Sequence, residues 1–379
     1  MRIPRTRLVA RCMRGLESAV AAEVLESELG SVTRLGHREV HFRLRSSRPG
    51  PISVLRTADD LFLSAARRPD IGTTKHDLHA LAELAALADT DLLVRLRRGL
   101  TQAPGEVPGI DVSASFLGRR TFSRYDAEDV VGTALAERLG VPYHSRRTGA
   151  APPPGYWGWR LTLDGAHAVL MMRVGDRPLH RRAYKQRMIK GTLHPPLAAA
   201  MAVLAGIRPD HTVLDPCCGA GTLLIEAALT RPGARLYGFD LSPDAVAAAR
   251  ANAAAVPVRV DRGDAGRLPL PDASVDRVLC NPPWGAQVHP RGLLADSPSR
   301  WWSELRRVLV PDGTAVLLLP TSETLTDAIR HGLAPVHVQG VRISGAQSFI
   351  VGLRPAASIK ARRRTTSRLK GSPVEINER

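Results

Sequence analysis

An aspartate and two glycines stand together in residues 215–222 (DPCCGAGT), just before an apolar run typical of a helix. Gly219 and Gly221 would let the backbone approach a ligand closely, and the start of the following helix would offer free N–H groups. Asp240 ends the next strand-like run, where its carboxylate could bind both hydroxyls of a ribose, and Asp264 supplies a carboxylate after a third run. Because the third glycine of a dinucleotide-binding loop is a leucine here, the pattern disfavours nicotinamide.

The most specific signal is residues 281–285 (NPPWG), directly after the strand-like run VDRVLC. Two consecutive prolines fix the backbone after a buried strand, and Trp284 offers a face on which a planar base can stack. A structural role as a strand stop would leave the flanking Asn281 and Trp284 without a reason. The segment therefore predicts a site for a planar base.

Taken in order at the ends of successive strands, DPxCGxGT, Asp240 and NPPW resemble the S-adenosylmethionine-dependent methyltransferases that act on exocyclic or amide nitrogen. The resemblance implies S-adenosylmethionine as the cofactor and a catalytic loop formed by Asn281, Pro282, Pro283 and Trp284. It implies cofactor contacts from Asp215, Cys217, Gly219, Gly221, Thr222, Asp240, Leu241, Asp264, Ala265 and Asn281. An ordinary tight turn and helix caps are the structural alternatives for the glycines and carboxylates.

The implied reaction suggests how a weak nucleophile is activated. The lone pair of an exocyclic amine is delocalised into the ring, so attack on a methyl sulfonium needs a fixed, near-linear geometry. Asn281 is neutral and cannot act as a general base. We expect its side-chain oxygen and the Pro282 carbonyl to accept the two amine hydrogens, with Trp284 stacked on a base that is flipped out of any stem.

From Leu197 to residue 354 the sequence alternates strand-like and helical runs. The strand candidates are HTVLD, RLYGFD, VRV, VDRVLC, AVLLL and SFIVGL, with Ala-rich helices between several of them. Such alternation favours a parallel α/β sheet that binds ligands at the carboxyl ends of its strands.

The N-terminal half has a different order of elements. Residues 6–13 and 39–44 read as strands around a helix that Gly30 would end, and a helix after Asp126, taken as its cap, would end at Gly140. With residues 110–116 and two runs joined by the turn at residues 164–165, the region 76–174 resembles a THUMP domain. We predict an α/β protein with four parts: a ferredoxin-like α+β unit at 1–75, a THUMP-like RNA-binding domain at 76–175, a Rossmann-like class I methyltransferase domain at 176–355 and a basic tail at 356–379.

The chain of 379 residues carries a formal charge of +17, which favours a polyanionic partner. Residues 181–190 hold five positive charges and no acid, and residues 360–370 hold six, so two short runs supply most of the excess. The combined resemblance is to THUMP-bearing RNA guanine-N2 methyltransferases, and it implies RNA as the partner, above all the acceptor stem of tRNA. The predicted RNA contacts are Arg119, Arg120, Arg124, Arg181, Arg182, Tyr184 and Lys185.

Several classes of protein are excluded or disfavoured. No uninterrupted apolar run reaches the roughly 18–20 residues of a membrane helix, and the N-terminus lacks the apolar region of a signal peptide. Four cysteines without a CxxC pair indicate neither a zinc site nor a disulfide framework. We expect a cytoplasmic, soluble monomer with no metal and no membrane partner. The rival hypotheses are an N-methyltransferase acting on ribosomal RNA guanine, DNA adenine or protein glutamine, and a non-catalytic RNA-binding protein.

Overall fold

The computed structural model describes residues 6–45, 55–101, 106–285 and 288–356. The chain folds as two compact units, Met1–Arg181 and Arg182–Arg379. The predicted basic tail lies outside the described residues from position 357 onward. The predicted division of the N-terminal unit at residue 75 stays a prediction.

In its described residues, the N-terminal unit contains eight strands and four α-helices. Its strands are β1 (Arg7–Arg11), β2 (Gly30–Gly36), β3 (Glu39–Leu44), β4 (Asp60–Pro69), β5 (Ile110–Phe116), β6 (Tyr143–His144), β7 (Trp157–Leu163) and β8 (His167–Arg173). Its helices are α1 (Glu17–Glu26), α2 (Ala80–Ala86), α3 (Thr90–Thr101) and α4 (Arg124–Leu139). A 3-10 turn at Lys75–His79 precedes α2.

All eight strands belong to one sheet, in the order β2-β3-β1-β4-β8-β7-β5-β6. The strand β4 from the predicted ferredoxin-like part pairs antiparallel with β8 from the predicted THUMP-like part. The two predicted parts therefore share a continuous hydrogen-bonded sheet. Apolar residues of alternate strand positions, among them Leu8, Leu63 and Leu161, are fully buried in the core of this unit.

Two helix ends in this unit correct the sequence-based assignment. Ser123, and not Asp126, caps α4, and the Asp126 side chain instead accepts a hydrogen bond from the Ser123 backbone N–H at 2.8 Å, which completes a capping box. Gly140 ends α4 with φ +67°, as predicted. Gly30 does not end α1, which stops at Glu26; Gly30 opens β2 and pairs with Leu44.

The described part of the C-terminal unit contains seven strands and six α-helices. Its strands are β9 (Thr212–Asp215), β10 (Arg235–Asp240), β11 (Val258–Arg262), β12 (Val275–Cys280), β13 (Leu309–Leu319), β14 (Leu333–Ile343) and β15 (Ala346–Pro355). Its helices are α5 (Pro195–Leu204), α6 (Thr222–Thr230), α7 (Pro243–Asn252), α8 (Leu293–Asp296), α9 (Pro298–Val308) and α10 (Ser322–Arg330).

These strands form a single sheet in the order β11-β10-β9-β12-β13-β15-β14. The five strands from β11 to β13 run parallel, and β15 is antiparallel to both of its neighbours. The chain reverses its direction of travel across the sheet between β9 and β12. In open α/β sheets, ligands bind at the carboxyl ends of the strands next to such a switch point. Among the described residues, no helix is long and apolar enough to cross a membrane.

Candidate active site

The loops after β9, β10 and β12 carry the residues predicted to do chemistry, and these three strands are neighbours at the switch point of the sheet. β9 ends at Asp215, β10 at Asp240, and β12 at Cys280, immediately before Asn281. The parallel register places Asp215 beside Gly238. The topology therefore brings the predicted cofactor loop, residues 216–221, next to the predicted catalytic loop, residues 281–284.

The cofactor loop is shaped by its glycines. Gly219 has φ +54° and Gly221 has φ +79°, a left-handed conformation that side-chain-bearing residues rarely adopt. Gly221 is the N-cap residue of α6 and no side chain caps this helix end, so its first N–H groups remain available for a ligand. The following residue, Thr222, is buried.

Asp240 is held by backbone N–H groups and keeps spare acceptor capacity. Its Oδ2 accepts a hydrogen bond from the Gly219 N–H at 3.0 Å, and its Oδ1 accepts one from the Ser242 N–H at 2.9 Å. A carboxylate has about four acceptor positions, so about two remain for ligand hydroxyls. Asp240 is partly exposed, as are Cys217, Gly219 and Leu241.

Gly238 explains how the loop can lie so close to β10. A β-carbon built onto Gly238 would lie 2.8 Å from Leu224 Cδ1 and 3.1 Å from the side chain of Cys218. Any larger residue would push the loop or α6 away from the sheet. Gly238 was not among the residues predicted from the sequence, although a glycine inside a strand, two residues before Asp240, indicates a close approach of the backbone.

Asp215 lies beneath the loop, with 1% of its surface exposed. Burial raises the pKa of Asp215 to about 7, despite the hydrogen bonds from the Cys217 N–H at 3.1 Å and from Cys280. Burial also raises the pKa of the Cys280 thiol well above its usual value. The carboxyl group is therefore a buried anchor of the loop, and neutral thiols surround it.

Asp264 is committed to the protein backbone more fully than predicted. Its Oδ1 accepts a hydrogen bond from the Gly266 N–H at 2.8 Å, and its Oδ2 accepts one from the Leu293 N–H at 3.0 Å, at the start of α8. The side chain thus fastens α8 to the loop after β11. Asp264 is partly exposed, whereas its neighbour Ala265 is buried.

The catalytic loop contains a polar side chain that has no hydrogen-bond partner among the described residues. Asn281 is partly exposed, and within the described part of the chain its side-chain amide makes no hydrogen bond. Pro282 is buried and Pro283 is partly exposed. The Asn281 amide can therefore accept a hydrogen bond from a ligand through its oxygen or donate one through its nitrogen.

Trp284 is fixed in orientation by its surroundings. Its indole Nε1–H donates to the Leu318 carbonyl at 2.9 Å. Its ring lies 5.9 Å from that of Trp301 in an edge-on arrangement and 6.3 Å from that of Trp302, and both of these α9 residues are buried. The sequence analysis missed this cluster, although three of the five tryptophans fall within residues 284–302.

The predicted RNA contacts divide into exposed and internally bonded residues. In the N-terminal unit, Arg119 and Arg181 are exposed, and the exposed Arg124 lies over the Tyr125 ring. Arg120 differs from the prediction, because only 4% of its side chain is exposed and it donates to Asp70 at 2.6 Å. An ion pair that is already buried is poorly suited to bind phosphate.

Two residues of the basic run also have internal partners. In the C-terminal unit, Arg182 Nε and the Tyr184 hydroxyl both donate to Oε1 of the buried Glu226, at 2.9 Å and 2.7 Å. Glu226 therefore offsets the Arg182 charge within the unit, and RNA contacts by Arg182 and Tyr184 stay a prediction. Lys185 is partly buried, which lowers its pKa. The charge available to a ligand lies further along, at Arg187 and Lys190, which are exposed.

Comparison with known proteins assigns the family. The tRNA (guanine(6)-N2)-methyltransferase of Thermus thermophilus is 32% identical over 284 residues, which make up 71% of this chain and 81% of that protein. The chain belongs to this methyltransferase family. A family model described as "RMKL-like, methyltransferase domain" matches residues 182–348, which begin where the C-terminal unit begins.

Solved and more distant members of the methyltransferase family agree with this assignment. The crystal structure of TrmN from Thermus thermophilus matches with a TM-score of 0.70 at 28% identity, covering 92% of this chain and 99% of that one. The U6 snRNA (guanine-N(2))-methyltransferase of Bos taurus is 36% identical over 205 residues, 53% of this chain but 38% of that protein. The predicted Rossmann-like class I methyltransferase domain, preceded by α+β structure, is confirmed, and S-adenosylmethionine is the cofactor.

The cofactor loop suits this cofactor. Left-handed glycines give close backbone access, and Asp240 retains acceptor positions for ribose hydroxyls. The positions of the individual cofactor contacts and of the catalytic residues stay predictions.

Proposed function

We propose that this chain transfers a methyl group from S-adenosylmethionine to the exocyclic N2 amine of a guanosine in the acceptor stem of tRNA. One observation carries the proposal most directly: the Asn281 amide, without a partner in the described residues, follows β12 beside the cofactor loop after β9. The Thermus thermophilus relative, named a tRNA (guanine(6)-N2)-methyltransferase, supports the choice of base and of RNA.

The proposed cofactor contacts come from the first three loops. Asp240 would accept hydrogen bonds from the ribose hydroxyls, while Leu241 and Ala265 would contact the adenine. Gly219 and Gly221 would let the cofactor approach the loop backbone closely, and the first N–H groups of α6 would be available to it. Asp215 would act indirectly, because it accepts a hydrogen bond from the Cys217 N–H and so fixes the cofactor loop. Thr222, Asp264 and Asn281 are the remaining predicted contacts.

The proposed chemistry depends on removing electron delocalisation from the amine. S-adenosylmethionine supplies an electrophilic methyl group on a sulfonium. Asn281 Oδ1 and the Pro282 carbonyl would accept the two amine hydrogens, which localises the nitrogen lone pair and directs it toward the methyl group. Trp284 would stack on the flipped base, and Pro283 would keep the loop rigid. The hydrogen bond of Trp284 to the Leu318 carbonyl and its packing against α9 support this role, because a ring whose orientation is already fixed loses little entropy when a base stacks on it.

The proposed partner is RNA, bound by a monomer in the cytoplasm. The N-terminal unit would serve as the THUMP-like RNA grip, and its exposed arginines Arg119, Arg124 and Arg181 are suited to phosphates. Phosphate contacts of this kind fix register without reading sequence. We therefore expect the choice of nucleotide to depend on the catalytic loop.

The decisive experiment incubates the protein with S-adenosylmethionine labelled in its methyl group and with total tRNA, followed by nucleoside mapping. We expect labelled N2-methylguanosine. Parallel reactions with U6 snRNA, ribosomal RNA and duplex DNA test the rival substrates, and labelled N6-methyladenosine or labelled DNA would overturn the proposal.

The variant Asn281→Ala tests the residue that activates the amine. We expect methylation to be lost while S-adenosylhomocysteine still binds in calorimetry, weakened by no more than the one contact that Asn281 supplies, because Asp240 and the glycines are intact. Turnover close to that of the unmodified protein would refute the role of Asn281 without touching the assignment of the substrate.

A further inference from the structure

The residues from Arg182 to Thr192, here called the basic segment, turn one side toward the cofactor loop. At its start, Arg182 and Tyr184 bond to Oε1 of Glu226, which is fully buried in α6. Helix α6 itself begins at the cofactor loop. At its far end, the Ile189 N–H donates to Thr192 Oγ1 at 3.1 Å and closes a turn.

Asn252 joins the middle of the basic segment to the cofactor loop. Its Oδ1 accepts hydrogen bonds from the N–H groups of Gln186 at 3.0 Å and Arg187 at 2.9 Å. Its Nδ2 donates to the carbonyls of Arg187 at 2.8 Å and Ala220 at 3.0 Å. With 3% of its surface exposed and both donors and both acceptor positions used, this amide is fully satisfied.

The link reaches the part of the loop that must approach the cofactor. Ala220 stands between Gly219 and Gly221. A β-carbon built onto Gly219 would lie 3.7 Å from Ile189 Cδ1, which is ordinary van der Waals distance. The basic segment is therefore linked to Ala220 of the cofactor loop through Asn252, and the Ile189 side chain lies close to the neighbouring Gly219.

The other side of the basic segment faces outward and suits a nucleic acid. Arg187 and Lys190 are exposed, and Met188 between them is 73% exposed. The basic segment contains no acidic residue that could compete for the cations. Phosphates would pair with the two cations, and the exposed thioether side chain offers a nonpolar contact for a base.

We propose that the basic segment is an RNA contact whose ordering is transmitted through Asn252 to the cofactor loop, so that RNA and the cofactor bind cooperatively. The inference rests on the proposed function, because it takes RNA as the outer ligand. When the first ligand has already ordered a network that the second ligand also orders, the second ligand binds with a smaller loss of conformational entropy. Thermodynamic linkage makes this effect equal in both directions. Asn252 is a positioning residue here, since it touches neither ligand.

Calorimetry with S-adenosylhomocysteine, in the absence and presence of saturating total tRNA, measures the coupling. We expect tRNA to lower the Kd of S-adenosylhomocysteine by about 5- to 50-fold, within the range typical of coupling between sites. In Asn252→Asp, the two acceptors for Gln186 and Arg187 remain but the donors to Arg187 and Ala220 are lost. We expect each ligand still to bind this variant, with the ratio of the two Kd values falling to less than about 2-fold.

Further variants keep the test decisive if Asn252→Asp folds poorly. Ile189→Ala shortens the side chain that lies beside Gly219 and should also reduce the ratio. Arg187→Ala should weaken RNA binding, whereas Arg208→Ala, which changes an exposed arginine elsewhere in the same unit, should not.

The possible results separate the two proposals. If tRNA binds and is methylated but leaves the Kd of S-adenosylhomocysteine unchanged, the coupling is refuted and the proposed function stands. If the ratio persists in both Asn252→Asp and Ile189→Ala, the basic segment is not the route. If no RNA binds, both proposals fall.

Discussion

Replacing Asp215 by asparagine tests the energetic cost of the buried carboxyl group under the cofactor loop. The amide oxygen can still accept the hydrogen bond from the Cys217 N–H, and the residue keeps its size. What changes is the charge, which asparagine lacks at every pH. The variant should therefore remove the pH dependence that Asp215 adds to stability.

The magnitude follows from the pKa of about 7 in the folded state, raised by burial from 3.8. The folded protein holds this proton more tightly than the unfolded chain does, so Asp215 costs nothing below pH 4 and its penalty grows as the pH rises toward 7. At about 1.4 kcal/mol for each pKa unit, the full penalty at pH 8.5 is about 4 kcal/mol, and at pH 5 it is about 2 kcal/mol. Asp215→Asn should gain about 2–3 kcal/mol relative to the unmodified protein between these two pH values.

Denaturant titration of both proteins without cofactor, at pH 5 and pH 8.5, measures this change. Hydrogen exchange of peptides from β9 and α6 reports the unfolding of the C-terminal unit separately from that of the N-terminal unit. A stability difference between variant and unmodified protein that is the same at both pH values would refute the reasoning. It would mean that Asp215 is ionised at little cost despite its burial.

Three further changes test particular contacts. Gly238→Ala should lower the free energy of unfolding by about 1–3 kcal/mol and weaken S-adenosylhomocysteine binding, because its methyl group would lie 2.8 Å from a leucine side chain. The control Gly99→Ala has open space around it, so in thermal unfolding it should be neutral or stabilising by up to about 1 kcal/mol. Trp284→Phe keeps a stacking face but loses the bond to the Leu318 carbonyl, so it should cost about 1 kcal/mol and retain methylation; inactivity equal to that of Trp284→Ala would contradict a stacking role. Gly140→Ala should lower the unfolding midpoint of the N-terminal unit by the equivalent of about 1 kcal/mol, and an unchanged midpoint would show that the left-handed helix end is not strained.

The strands that position the site could be predicted because local sequence determines them. Apolar runs such as residues 275–280 end abruptly at a carboxylate or at Asn281. The same polar residue therefore indicates both where the strand ends and which side chain lies in the site. Four strands, β2, β4, β6 and β14, were not predicted, and for two of them the reason is local. β4 contains the helix-forming pair Ala65-Ala66, and β14 contains Pro335 and Gly340, which weaken any strand assignment.

The partners of the basic segment could not be predicted from the sequence. Asn252 is 65 residues away from Arg187, and Glu226 is 44 residues away from Arg182. Neither residue has a neighbour in the sequence that signals its role, because the parallel sheet and its helices create these contacts only after folding.

The continuous sheet of the N-terminal unit has a consequence for how the protein is made. Strand β4 can pair with β1 early, but its other edge finds a partner only when β8, about a hundred residues later, has left the ribosome, because Phe62 pairs with Arg173. Pairings between distant segments fold slowly, since the intervening loop must close first. Until β8 has been synthesised, this edge of β4 therefore carries unpaired backbone N–H and C=O groups. We expect nascent chains that stop before residue 167 to be more prone to aggregation and to proteolysis than chains that extend past Arg173.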